Sequence, residues 1–227
     1  MKRSLLSRLP PAWHSALTSA FGLVAFTLVF TSLMAFVHDI TREDIRAAVE
    51  AQQMRLIDEV LPREHYDTAL LQEEVNAAAP APFIGRIWRA RRADQPVALV
   101  FETFADDGYG GRIKLIVALK ADNTLGGVRV VSHHETPGLG DYIDPAKDRN
   151  KTTPWIAQFV GLDAGLPGER WAIHKDGGEI TFHTGATISA RAVTHGVGRA
   201  VAWVSARRDE LFNAPANAPT SAQGQKE

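Results

Sequence analysis

Val97-Ala98-Leu99-Val100-Phe101-Glu102-Thr103-Phe104 leads into Asp106-Asp107-Gly108-Tyr109-Gly110-Gly111 and then into Arg112-Ile113-Lys114-Leu115-Ile116-Val117-Ala118-Leu119. Val97, Leu99 and Phe101 alternate with Ala98, Val100 and Glu102, the period of a strand. The glycines between the two runs permit positive φ and mark a turn. Strands joined by so short a connection pair antiparallel. Working outward, 84–91 reads as a strand before this pair, 121–127 as a second turn and 127–133 as a fourth strand. Residues 154–160 read as a short helix started by Pro154. Asp176-Gly177-Gly178 reads as a tight turn into a brief strand at 179–182. Val193, Val197, Val201 and Val204 then recur at helical spacing to about Ser205, with Arg207 and Arg208 placed to complement the helix dipole. The pattern predicts an α+β fold with one antiparallel-sheet-containing domain over 83–212, entered through an Ala/Pro linker at 77–82.

Ahead of that domain, residues 16–37 contain no charged side chain. As a helix they would span about 33 Å, against about 30 Å for a bilayer's hydrocarbon core. Thr18, Ser19, Thr27, Thr31 and Ser32 are tolerated there because their hydroxyls bond back onto helix carbonyls. A cleaved signal peptide with Lys2, Arg3 and Arg8 as its basic region is the rival reading. The apolar run is longer than a typical signal core of about 7–15 residues, and no clean Ala-x-Ala site precedes His38. The sequence therefore predicts a single transmembrane helix at 16–38 after a cytoplasmic N-terminus at 1–15, with Trp13 at the interface. Lys2, Arg3 and Arg8 precede the span while Arg42 and Arg46 follow it, a slender positive-inside bias that places the main domain on the periplasmic side. A stalk helix is expected within 39–82. Thr41 and Asp44 resemble a capping box, and Ile45, Val49, Leu56 and Val60 form one face that Pro62 ends. The tail over 213–227, rich in Ala, Pro, Ser, Thr and Gln, is expected to be disordered.

The formal net charge is −1, so no basic stripe points to nucleic acid. With no cysteine, the chain has no disulfide, thiolate metal site, iron–sulfur cluster or cysteine nucleophile. No triad or paired-carboxylate arrangement is defensible, so no catalytic residue is assigned. His133-His134-Glu135 is not the helical His-Glu-x-x-His pattern, and adjacent strand residues point to opposite faces, so no metal site is assigned either.

Two short stretches carry chemistry. Thr184-Gly185-Ala186-Thr187 lies just ahead of the last helix, whose first N–H groups lack intrahelical partners and favour a phosphate. Small Gly185 and Ala186 let a large ligand approach, and Ser189 is placed to cap the helix or donate to the same phosphate. Taken alone, the tetrapeptide is better accounted for by a simple helix cap, Thr187 or Ser189, after a glycine turn. Glu135-Thr136-Pro137-Gly138-Leu139-Gly140 is a stiff loop exposing backbone amides, with Glu135 as an acceptor, Thr136 as a hydroxyl and Leu139 as an apolar contact. Taken alone it is also compatible with an ordinary surface turn. His183 adjoins the tetrapeptide, and Trp155 and Trp171 read as core.

Taken in order, the N-terminal span, the turn at Tyr109, the hexapeptide loop and the Thr-Gly-Ala-Thr resemble the G subunit of the Rnf (Rsx) electron-transport complex. That complex is an ion-translocating ferredoxin:NAD⁺ oxidoreductase. The FMN-binding domain of its G subunit is shared with the C subunit of the sodium-pumping NADH:quinone oxidoreductase. The resemblance implies FMN joined through its phosphate to the Thr187 hydroxyl, installed by a separate flavin transferase from FAD. It implies that the loop from Glu135 to Gly140 lines the flavin, with Tyr109 close by. It further implies an electron carrier in the inner membrane, working with the other subunits of the complex. A C-type quinone-reductase subunit, another FMN-domain electron-transfer protein and a cofactor-free tethered module are the alternatives. One position departs from the family pattern: Thr181 stands where an aspartate often precedes the motif.

Overall fold

A computed structural model describes residues 11–77, 79 and 81–215. The ends of the expected cytoplasmic N-terminus (1–10) and C-terminal tail (216–227) lie outside the described residues. Helix α1 runs from Pro11 to Val60 without interruption, and the chain divides into two compact units, 1–52 and 53–227. The expected boundary between a membrane helix and a separately capped stalk is therefore absent. The Thr41 hydroxyl does not cap a new helix; it donates to the Val37 carbonyl at 2.8 Å, one turn back, as Thr27 does to Leu23. With no proline or glycine between 38 and 60, nothing breaks the ladder. In the first unit Phe21, Leu23, Val24, Phe26 and Leu28 are all exposed, and this is the one helix among the described residues long and apolar enough to cross a membrane.

The second unit is built on a five-stranded antiparallel sheet in sequential order: β1 (Glu74–Val75), β2 (Ile84–Arg92), β3 (Gln95–Gly108), β4 (Gly111–Lys120) and β5 (Leu125–Ser132). The alternating run at 97–104 lies within β3, pairing Phe101 with Val117 and Leu99 with Leu119. β3 and β4 extend to Gly108 and Gly111, so the turn is shorter than the expected 106–111 and consists of Tyr109 and Gly110. β2 and β3 meet through Ala93 and Asp94, both at positive φ (47° and 62°), which suits a tight hairpin's twist. Asp67 accepts from the Ala93 N–H at 2.9 Å and steadies that strained turn.

Both faces of the sheet are covered, which is why β3 is buried continuously rather than on alternate residues. Leu99, Phe101, Leu115 and Val117 pack beneath α2 (Thr187–Ala206), with Trp155 and Phe159 in the same cluster. Trp88, Val100, Ile116 and Ala118 pack on the other side against Ile57, Val60, Leu61, Tyr66 and Leu70. Of the predicted stalk face, only this end is buried; Ile45 and Val49 are exposed. The strand glycines explain how α1's last turn seats: a Cβ at Gly126 would lie 2.6 Å from the Val60 carbonyl oxygen. The compact unit thus begins near Gln53 rather than at residue 83, and Ala77, at the start of the expected linker, is buried in it.

Three other expectations change. Residues Trp155–Phe159 form a 3-10 helix in which Pro154 is the residue before the first turn. No strand forms at 179–182; Ile180 makes one isolated parallel bridge to Ile173. Asn213 ends α3 (Arg208–Asn213) instead of beginning a loose tail, because Arg89 and Arg91 donate to carbonyls at Phe212 and Ala214.

Candidate functional site

The last long helix, α2, begins at Thr187 for two local reasons. Gly185 has φ +93°, a left-handed conformation that disfavours a side chain, and this turns the chain sharply. Ala186, in the N-cap position, offers no side-chain oxygen, so the helix starts with no side-chain cap. The alternative in which Thr187 or Ser189 caps the helix is not what forms. Ser189 is buried and donates instead to Glu135 Oε2. The half-buried Thr187 hydroxyl has no hydrogen-bond partner among the described residues.

Opposite this helix end stands the hexapeptide. Leu139 and Gly140 both donate their N–H groups to the Thr136 carbonyl at 3.1 Å, closing the loop on itself. Gly138, at φ +75°, donates to Asp141 at 2.9 Å. A 3-10 turn, Gly140–Ile143, follows and delivers Tyr142 into the core. Its hydroxyl donates to the Ala186 carbonyl at 3.2 Å and accepts from the His183 N–H at 3.4 Å. The His183 ring stacks on the Tyr142 ring with centroids 4.0 Å apart. Tyr142 is thus the pin between the two motifs, across more than 40 residues of sequence.

Burial pushes the Tyr142 hydroxyl up to about 12, and burial together with the neighbouring Asp58 does the same to Tyr66. A raised tyrosine pKa favours the protonated form in the fold. The associated stability is therefore complete below about pH 10 and lost as pH climbs through about 12. Titration of phenolate absorbance is expected to show two of the three tyrosines ionising near pH 12, with thermal stability falling across the same interval.

The two motifs enclose a cleft of about 250 Å³. Glu135, Thr136, Leu139 and Gly140 line one side; Gly185, Ala186, Thr187 and Ser189 line the other; Tyr109 closes it from the β3–β4 hairpin. Pro137, Gly138 and Thr184 belong to the same loops but do not line it. Ile188 does line it, and sequence reasoning missed it; its place beside Thr187 was the available signal. Tyr109, Leu139 and Ile188 are 70%, 56% and 44% exposed, an apolar rim around a polar floor.

Thr181, the position that departs from the family pattern, is held on both sides. Its N–H and hydroxyl donate to Gln158 Oε1 at 2.8 and 3.0 Å, and its carbonyl accepts from Trp155 Nε1 at 2.7 Å. Asp148, fully buried, in turn accepts from the Trp155 N–H at 2.6 Å. The segment before Thr184–Thr187 is therefore strapped to the 155–159 turn.

The donor set fits a flavin mononucleotide. The uncapped helix end supplies N–H donors for a phosphate without any lysine or arginine in the lining, and the apolar rim suits a flat ring.

Comparison with known proteins agrees in two steps. Residues 108–202 match the FMN-binding domain family, which contains every residue lining the cleft, and residues 1–60 match the RnfG N-terminal region. Over longer stretches the chain is similar to proteins named as the G subunit of an ion-translocating oxidoreductase complex. It is 40% identical to that of Cronobacter sakazakii over 85% of this chain and 92% of the relative. Against that of Shewanella loihica it is 37% identical over 96% and 97%, and against that of Escherichia coli K12 39% identical over 86% and 93%. The chain belongs to this G-subunit family. It is a membrane protein, with α1 the helix fit to cross the bilayer.

Proposed function

We propose that this chain is the membrane-anchored FMN-carrying electron-transfer subunit of an ion-translocating oxidoreductase complex, and that its FMN is bound covalently through Thr187. The observation that carries the reading is the cleft. A helix end without a side-chain cap presents the Thr187 hydroxyl, unpartnered among the described residues, beside the N–H groups of its first turn, facing the loop of Glu135 to Gly140. When bound, FMN supplies one- and two-electron transfer. The protein's own residues hold and orient it. The end of α2 receives the phosphate, Tyr142 fixes the attachment loop against the facing motif, and Tyr109, Leu139 and Ile188 shield the ring's surroundings from water.

Attachment is a phosphoryl transfer catalysed by a separate flavin transferase. The Thr187 Oγ1–phosphorus bond forms, the phosphoanhydride of FAD breaks, AMP leaves and the hydroxyl proton is released. Partners are the other membrane subunits of the complex, which pass electrons between ferredoxin and NAD⁺. Three basic residues before the span against two just after it support a periplasmic position for the domain. The match of residues 1–60 to the RnfG N-terminal region favours this assembly over a quinone-reductase subunit.

The test is direct. Full-length protein made alongside an active flavin transferase is denatured and dialysed. It is expected to keep flavin fluorescence and a mass increment of FMN minus water. Colourless protein without the increment would support a cofactor-free module and end this reading.

A further inference from the structure

We infer that Glu135 is the positioning residue of the cleft: one buried carboxylate that ties three of its walls together and sets a fixed negative charge beside the bound ring. The inference rests on the FMN reading, but its structural half concerns this chain alone. Glu135 is 4% exposed. Its Oε1 accepts from the Gly110 N–H at 2.9 Å, and its Oε2 accepts from the Ser189 hydroxyl. Gly110 belongs to the hairpin that places Tyr109, Ser189 lies in the first turn of α2, and Glu135 itself opens the hexapeptide loop. The Glu135 N–H donates to His133 Nδ1 at 3.1 Å, fixing the end of β5 to the same point. Each carboxylate oxygen is therefore tied to a donor of the protein itself.

Packing around it leaves no slack. A Cβ at Gly108 would lie 2.8 Å from Glu135 Oε1; one at Gly140 would lie 2.9 Å from Oε2 and would run into the Ser189 hydroxyl. A Cβ at Gly110 would run into the His134 carbonyl. Among the described residues no cation pairs with Glu135, so its charge is balanced by hydrogen bonds only. An anion that lines a cleft without a paired cation opposes the addition of electrons to whatever ring occupies it, because the interior screens charge weakly.

Glu135→Gln separates the two roles. The glutamine carbonyl still accepts from Gly110 and its amide donates to the Ser189 oxygen, so the walls stay tied while the charge is lost. Glu135→Ala removes both bonds and orphans two donors. Full-length wild type, E135Q and E135A are compared in detergent, made with and without the transferase. In protein made without it, amide exchange at Gly110 is expected to be protected in wild type and E135Q and to accelerate at least tenfold in E135A. In protein made with it, E135Q is expected to keep wild-type flavin anisotropy with its midpoint potential shifted positive. E135A is expected to lose several-fold of its covalent flavin or of its anisotropy. Should E135A not fold, Glu135→Leu, which fills the same space without an acceptor for Gly110, is read in its place. Unchanged Gly110 exchange overturns the clamp, and an E135Q potential equal to wild type overturns the charge effect. Wild type lacking flavin would sink the FMN reading and leave the exchange result to decide the clamp.

Discussion

Thr187→Ala protein, made with an active transferase, is expected to contain no covalent flavin while melting like wild type. The loss is total because attachment requires an oxygen nucleophile at one position. Ser189 is buried and engaged with Glu135, and Thr181's hydroxyl is engaged with Gln158. Thr184 is exposed but does not line the cleft. Stability is spared because the Thr187 hydroxyl makes no hydrogen bond among the described residues, and alanine is the better helix former, so the change should stay within about 0.5 kcal/mol. Thr187→Ser restores the hydroxyl and should restore attachment. Trypsin cleaving at Lys175 and Arg191 isolates residues 176–191, which hold all four candidate hydroxyls, and fragmentation then locates the increment. Retention of covalent FMN in the alanine protein, or an increment on Thr181, Thr184 or Ser189, would remove the assignment.

The parts of this architecture legible in the sequence were those governed by local physics. Alternation in 97–104 and the glycine turn after it gave β3 and its antiparallel partner, and the valines of α2 gave the final long helix. Charge-free length gave the membrane segment. What sequence could not give was decided by distant partners. Thr41 and Asp44 look like a helix start, yet a hydroxyl that bonds one turn back removes the need for one. The brief strand at 179–182 has strand-like composition, but its donors are used elsewhere: Thr181 by Gln158 and Ile180 by the Ala172 carbonyl. Asn213 sits in polar, Ala/Pro-rich company, and only Arg89 and Arg91, over 100 residues earlier, hold that end in place. The site divides in the same way. The two motifs were readable as residue types, and their convergence was inferred from resemblance. Tyr142, which pins them together, and the commitment of Glu135 to Gly110 and Ser189 required the fold.

Gly198→Ala is expected to destabilise the domain, against the ordinary trend for such a change. In an unobstructed helix interior alanine is favoured over glycine by about 1 kcal/mol. At Gly198, however, a Cβ would lie 2.5 Å from both Cβ and Cγ of Trp171 and 2.9 Å from its Cδ2. Those are the root atoms of a side chain that is 4% exposed, so no flexible end can swing aside. Either α2 or the Trp171 backbone must move, and overpacking of this kind costs about 1–3 kcal/mol. The steric term exceeds the propensity term, so the net sign reverses and the melting temperature should fall by a few degrees. The displacement also reaches the site. Trp171 adjoins Ala172, whose carbonyl accepts from Ile180, and Ile180 leads into the strapped Thr181 and the loop at 184–187. Flavin content should therefore fall with stability in this variant, whereas in Thr187→Ala it falls alone. Gly168→Ala provides the contrast: nothing lies within 4 Å of a Cβ there, so its melt should match or exceed wild type. A Gly198→Ala protein melting at or above wild type would show that α2 has room beside Trp171 and would break the proposed link between helix packing and the loop at 184–187.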